Sequence, residues 1–205
     1  MASHPVPARL NPFAVDRVTA LPFRLTAGDW PALMTRLQDL NYRGAVVGPQ
    51  GSGKTTLLEQ LEREIPIHLG RAAWYVRMPH QPSQRAAVVD AVLARAGRAI
   101  VLLDSAEKTP WRGWNAILRK SRAGGLVVAV HRRCGLPVWL RTTTNPQLLT
   151  SLIRELGYTS DELPQDAIQA VFRHYRGNLR EALRFLYDQV AHGNLPLPGF
   201  ARPPQ

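Results

Sequence analysis

The sequence predicts an α/β fold, a parallel sheet sandwiched by helices and followed by a small C-terminal helical lid. Three observations predict it. Short apolar runs alternate with helical segments of about 10–15 residues, the pattern of βαβ units. A glycine-rich loop joins one such run to a helix. After about residue 145 the strand-like runs stop and only helical periodicity remains.

The elements follow in order. Residues 1–28 are rich in proline and read as an irregular surface strap. Asp29 fits a helix N-cap with Pro31 in the first turn. Leu33, Met34, Leu37 and Leu40 then make one apolar stripe, and Asn41 and Gly44 close the helix. Ala45-Val46-Val47 is the first buried strand. A helix from Lys54 to Glu64 turns Leu57, Leu58 and Leu61 inward, and Pro66 stops it. Residues 73–77 form the second strand. Residues 83–96 form a helix with Val88, Val89 and Val92 inward. Ile100-Val101-Leu102-Leu103 is the third strand and ends at Asp104. Pro110 starts a helix whose Trp111, Trp114, Ile117 and Leu118 point inward, with Arg112, Arg119 and Arg122 outward. Residues 126–130 are the fourth strand and 138–141 the fifth. Residues 146–156, 164–175 and 178–191 are the three helices of the lid.

Composition sets the outer bounds. The chain has 205 residues, 45% of them hydrophobic, enough for a core and too many for wholesale disorder. No apolar run approaches the ~20 residues that span a bilayer, so no membrane association is expected. The start lacks a charged stretch followed by an apolar one, so no signal peptide is expected there. One cysteine, Cys134, excludes an internal disulfide and fits a reducing compartment, with a cytoplasmic location as the default. The net charge is +11, carried mostly by arginines scattered along the chain rather than in a block. Such charge suits nucleic acid, but an arginine-rich solvated surface gives the same composition.

The loop is the most informative motif. Gly48, Pro49, Gln50, Gly51, Ser52, Gly53, Lys54 and Thr55 match G-x-x-x-x-G-K-[ST] in full. Glycines let the backbone curl so that successive N–H groups point at a phosphate. The following helix, which continues through Thr56, offers its positive end to the anion. Lys54 reaches the β- and γ-phosphates and Thr55 offers its hydroxyl to Mg²⁺. The loop therefore predicts a P-loop NTPase sheet that binds ATP with Mg²⁺. A chance glycine turn would not sit between a buried strand and an amphipathic helix. Asp104, at the end of an apolar strand, is the expected carboxylate on the metal side. A surface aspartate capping the next turn is the bland alternative. Glu107 is the nearest acid able to act as a base toward water, or else an ordinary solvated glutamate.

Together these residues resemble the AAA+ ATPases, especially the small bacterial kind related to replication initiators, clamp loaders and transposition ATPases. The resemblance spans about residues 11–191. It rests on the loop at 48–55, the strand ending at Asp104, the strand 126–130 followed by His131, and Gly177-Asn178-Leu179-Arg180-Glu181-Ala182-Leu183. It implies that His131 is a sensor 1 group and that Arg180 is the sensor 2 arginine, reaching from the lid toward the γ-phosphate. Asn11-Pro12-Phe13 looks like a strap closing the adenine site, although Phe13 also reads as a plain hydrophobic anchor. Two departures stand out. The family has Asp-Glu at the end of the third strand, whereas Ser105 follows Asp104 here. The segment from His131 to Val138 is short where the family carries an arginine finger. Arg132, Arg133 and Arg141 are the candidates for that role.

The domain reading is a strap at 1–28, a P-loop α/β ATPase domain at 29–144, a helical lid at 145–192 and a flexible tail at 193–205. The function it implies is an ATP-binding, ATP-hydrolysing switch acting on an unidentified protein partner, with hydrolysis slowed by Ser105. An oligomer is compatible with these residues. A nucleotide-dependent nucleic-acid-binding module is the alternative. A small-molecule P-loop kinase is a third reading, and the Gly-Asn-x-Arg-Glu stretch argues against it.

Overall fold

The computed structural model describes residues 6–25, 28–132 and 134–199. It divides into two compact units. One comprises residues 23–49 and 53–142, and the other residues 1–22, 50–52 and 143–205.

The first unit is the α/β layer. It contains α2 (Trp30–Asp39), β1 (Arg43–Val47), α3 (Lys54–Leu69), β2 (Ala73–Arg77), α4 (Arg85–Arg95), β3 (Ile100–Asp104), α5 (Trp111–Lys120), β4 (Leu126–Val130) and β5 (Val138–Arg141). The strands form one parallel sheet in the order β2-β3-β4-β1-β5. Every residue of β3 and β4 is buried, as near-continuous Ile, Val and Leu runs require when helices cover both faces. Alternation along the strands sorts them onto two cores. Val46, Leu102 and Val127 face α2 and α3, packing with Met34, Leu37, Leu57, Leu58 and Leu61. Ala45, Val47, Leu103 and Val128 face α4 and α5, packing with Val89, Val92 and Ile117.

Local signals place these helices. Asp29 caps α2 by accepting from the Ala32 N–H at 2.9 Å, a bond worth about 1 kcal/mol. Leu33, Met34 and Leu37 are buried as the stripe predicts, each worth about 2 kcal/mol against exposure. The chain leaves α2 through Asn41 and Tyr42, both with positive φ (52° and 58°).

Gly44 does not close α2, as the pattern suggested. It lies inside β1, where an added Cβ would stand 2.5 Å from the Cβ of buried Trp139. Pro66 does not stop α3 either. It sits in the last turn, where its missing N–H forfeits one bond, and the helix ends at left-handed Gly70, whose N–H donates to the Pro66 carbonyl at 3.1 Å.

Trp111 is 69% exposed rather than inward. The α4–α5 contact centres on Gly113, where an added Cβ would meet Val89 at 3.0 Å. That contact turns the Gly113–Ile117 side of α5 inward, and a residue two positions away on a helix does not share that face.

The second unit is helical: α1 (Val15–Ala20), α6 (Pro146–Glu155), α7 (Gln165–His174) and α8 (Leu179–Ala191). Asn145 and Asn178 cap α6 and α8 by accepting from the Leu148 and Glu181 N–H groups. Leu149, Ile153, Ile168, Leu179, Leu183, Leu186 and Val190 form the core. The N-terminal segment is not irregular throughout. It makes a 3-10 turn at Ala8–Leu10 as well as α1. Between them Asn11 donates to the Tyr187 carbonyl at 2.9 Å, and buried Phe13 stacks on Tyr158 at 5.3 Å between ring centroids. Phe13 is thus a hydrophobic anchor of the helical core. In the expected tail, Leu195 and Leu197 pack on that core and the Pro196 carbonyl accepts from Tyr158. Residues 200–205 of the tail and 1–5 of the strap lie outside the described residues. Among the described residues no helix is long and apolar enough to cross a membrane.

Gly44→Ala is expected to destabilise the α/β unit by about 2 kcal/mol, because a methyl group must displace Trp139 or β1. Urea denaturation followed by tryptophan fluorescence measures it. A loss below about 0.5 kcal/mol, the scatter of surface substitutions, would show that this contact gives way freely.

Candidate functional site

The carboxyl ends of β1, β3 and β4 lie side by side, and the sequence motifs fall at those ends. Val47 leads into the loop, Asp104 ends β3 and His131 follows β4. In open parallel sheets this edge is where ligands bind.

The loop's shape follows from its glycines. Gly51 and Gly53 take φ of 73° and 83°, left-handed values that cost a side chain about 1–2 kcal/mol. Gly51 also has no room for one, since an added Cβ would stand 1.9 Å from Asn178 Oδ1. Gly53 is the N-cap of α3, so the loop delivers Lys54, Thr55 and Thr56 as the first turn of that helix. The N–H groups of a first turn have no partner within the helix and attract anions.

Lys54 is only 8% exposed. Its Nζ donates to the Gly48 carbonyl at 2.8 Å and the Pro49 carbonyl at 2.7 Å, which fixes the ammonium over the loop. Within the loop Ser52 is buried, while Pro49 and Gln50 are exposed. His131 Nδ1 lies 3.4 Å from Lys54 Nζ and 3.3 Å from the Gly48 carbonyl. The first contact needs Nδ1 as acceptor and the second needs it as donor, so the two alternate with the ring proton. His131 Nε2 lies 3.6 Å from Glu107 Oε1, an ion pair when the imidazole is protonated. Glu107 itself is exposed, in a 3-10 turn entered through Ser105 at φ 57°.

Asp104 is buried and its Oδ2 is crowded with donors. Thr55 Oγ1 donates at 2.9 Å, Arg77 Nε at 3.0 Å and the Tyr75 hydroxyl at 3.3 Å. Arg77 also donates to Thr55 Oγ1 from Nη2 at 3.3 Å. Burial, and then the Asp104 carboxylate, push the Tyr75 phenol well above its usual range. For Arg77 burial pulls the guanidinium down, but the bond to Asp104 and nearby charge outweigh it, and the net shift is upward. The sequence reading did not single out Tyr75 and Arg77. Their i, i+2 spacing on β2 gives them one face, and the register pairs Arg77 with Asp104.

The structure thus brings together Lys54, Thr55, Asp104, Glu107 and His131. Arg180 belongs to the helical unit, where it is exposed in the first turn of α8. Arg132 and Arg141 are exposed, and Arg133 lies outside the described residues. Among the described residues no group of three or more His, Cys, Asp or Glu side chains could hold a metal. The Thr55 hydroxyl and the Asp104 carboxylate are hard oxygen donors. They fit Mg²⁺, which typically takes one or two carboxylates and completes its shell with phosphate and water.

No protein-family model matches the chain, and no curated protein matches it. The chain is similar to a crystal structure of domain III from the Thermotoga maritima replication initiation protein DnaA. The alignment covers 84% of this chain and 87% of that one, at a TM-score of 0.55 and 14% identity. The structure of an E. coli MS115-1 HORMA:CdnC:Trip13 complex aligns over 95% of this chain and 87% of the matched chain, at 14% identity. Its TM-score of 0.39 is too low to bear on the fold. At 14% identity the first likeness shows the fold alone, an α/β layer with a parallel sheet between helices and further helices at the C-terminal end.

Proposed function

We propose that the chain binds ATP with Mg²⁺ on the β1–α3 loop and acts as a nucleotide-dependent switch on a protein partner. The observation that carries this reading is the Thr55–Asp104 hydrogen bond. It joins the end of a complete G-x-x-x-x-G-K-T loop to a buried carboxylate on a neighbouring strand. Bound Mg²⁺ would neutralise phosphate charge there, with Thr55 and Asp104 as its protein-side oxygen donors. Lys54 would give the phosphates a fixed positive charge, and the first turn of α3, with Thr56, would give them N–H donors. Gly48 through Gly53 supply the curl.

Hydrolysis would be slow. Ser105 stands where the AAA+ ATPases have a glutamate. Glu107 would orient water only when its carboxylate is not engaged by His131. The sensor roles of His131 and Arg180 remain part of this proposal, supported by the position of His131 after β4 and by the exposure of Arg180 beside buried Leu179.

Lys54→Ala should weaken ATP binding by about ten- to a hundredfold, the worth of a charge-assisted hydrogen bond, and leave the fold intact. Calorimetry decides it, and unchanged affinity would remove the loop from the reading. Arg180→Ala should reduce the preference for ATP over ADP with little loss of thermal stability, since an arginine fork suits the extra phosphate. Parallel ATP and ADP titrations of both proteins measure the ratio. The same ratio in both would exclude Arg180 as a γ-phosphate sensor.

One further observation favours the nucleic-acid alternative. Helix α5 has no acidic residue and presents exposed Trp111 with the Arg112 guanidinium 5.4 Å from its ring centroid. Arg119, Lys120 and Arg122 are exposed on and just after the same helix. An aromatic platform among cations is how sequence-tolerant single-strand binding works. On this reading single-stranded DNA binds at low salt, log affinity falls by roughly 0.7 per phosphate contact with log salt, and Trp111→Ala weakens it. Fluorescence anisotropy with a labelled oligonucleotide tests it. Absence of binding at low salt, with or without ATP, would make the positive charge a compositional trait.

A further inference from the structure

We infer that Arg77 is a built-in counter-ion for Asp104 that makes nucleotide binding only weakly dependent on Mg²⁺. The inference rests on the nucleotide reading above and concerns the same site.

Three observations point to it. First, Arg77 touches both side chains that would hold the metal. Its Nε donates to Asp104 Oδ2 at 3.0 Å and its Nη2 to Thr55 Oγ1 at 3.3 Å. Second, the placement is set by the sheet. Arg77 ends β2, Asp104 ends β3, and the parallel register makes them Cα partners. A four-residue run of matched pairs, from Ala73–Ile100 to Val76–Leu103, precedes that pair and holds its register. Third, the two partners differ in burial. The Asp104 side chain is 6% exposed, whereas that of Arg77 is 49% exposed. The acid is fixed, and the guanidinium lies over it from the solvent side.

The electrostatics follow. A buried carboxylate without a cation is costly, and the hydroxyls of Thr55 and Tyr75 supply hydrogen bonds but no charge. Arg77 supplies the charge. A divalent cation approaching Thr55 and Asp104 therefore meets an acid that is already paired, and gains less from it than from a bare carboxylate. When divalent cation is scarce, the same guanidinium cancels the negative charge of Asp104 beside the loop, which would otherwise repel a polyphosphate. Both effects narrow the difference between affinity with and without Mg²⁺. Arg77 is a positioning residue for that site, acting through Asp104 and Thr55.

The test uses the full chain with a fluorescent ATP analogue, titrated in Mg²⁺ and in EDTA. The quantity read is the ratio of Kd in EDTA to Kd in Mg²⁺. Arg77→Gln should raise this ratio about tenfold, through weaker binding in EDTA and unchanged or tighter binding in Mg²⁺. Arg77→Lys keeps the charge and should bring the ratio back toward that of the unsubstituted protein. Without nucleotide Arg77→Gln should melt below the other two proteins, since it leaves the buried Asp104 carboxylate without its cation, and a single cooperative transition shows that the fold is kept. An unchanged ratio in Arg77→Gln overturns the inference, and so does an equal rise in Arg77→Gln and Arg77→Lys. A failure of the nucleotide reading looks different: the unsubstituted protein would bind the analogue in neither buffer, and the role of Arg77 would fall with it.

Discussion

Parallel pairing of the strands is the constraint on which the rest of the site depends. In a parallel sheet every strand ends at the same edge, so the residue that follows each apolar run arrives there. Asp104 after the β3 run, the loop after β1 and His131 after β4 are neighbours for that reason alone. Arg77 arrives at the end of β2 by the same rule. Long-range side-chain chemistry at this edge is thus a consequence of backbone hydrogen bonding between buried Val, Ile and Leu runs. Those runs are driven into a parallel sheet because helices cover both faces.

Close packing sets the second layer of constraint, and it falls on residues too small to announce themselves. Gly44 lets β1 lie against the Trp139 side chain, and Gly113 lets α5 lie against Val89. Packing at native density leaves little room for a methyl group at such contacts. Gly51 is constrained twice, by a left-handed φ and by Asn178. The loop's glycines therefore serve backbone geometry and packing together, whatever ligand the loop receives.

Charge at the site is arranged around one buried carboxylate. Thr55, Tyr75 and Arg77 converge on a single oxygen of Asp104, and the Lys54 ammonium donates to the backbone carbonyls of Gly48 and Pro49. Glu107 and His131 form a second, more exposed pair, whose attraction depends on the protonation of the ring.

Much of this was legible in the sequence. Apolar runs and helical periodicity located the five strands and the helices of both units other than α1, because burial leaves an apolar signature wherever a face is covered. The Gly48–Thr55 motif and Asp104 could be read because each needs only local context, a strand before it or a strand ending at it. Tertiary structure decided the rest. Pro66 continues α3 and Gly44 belongs to β1, since propensity yields to packing near an element's end. Trp111 faces solvent because the position of α4 against Gly113, which no local pattern encodes, chooses the buried side of α5. Arg77 meets Asp104 because strand order and register place β2 beside β3. Those are properties of the whole sheet, and a linear sequence carries them only through the combined packing of all its strands.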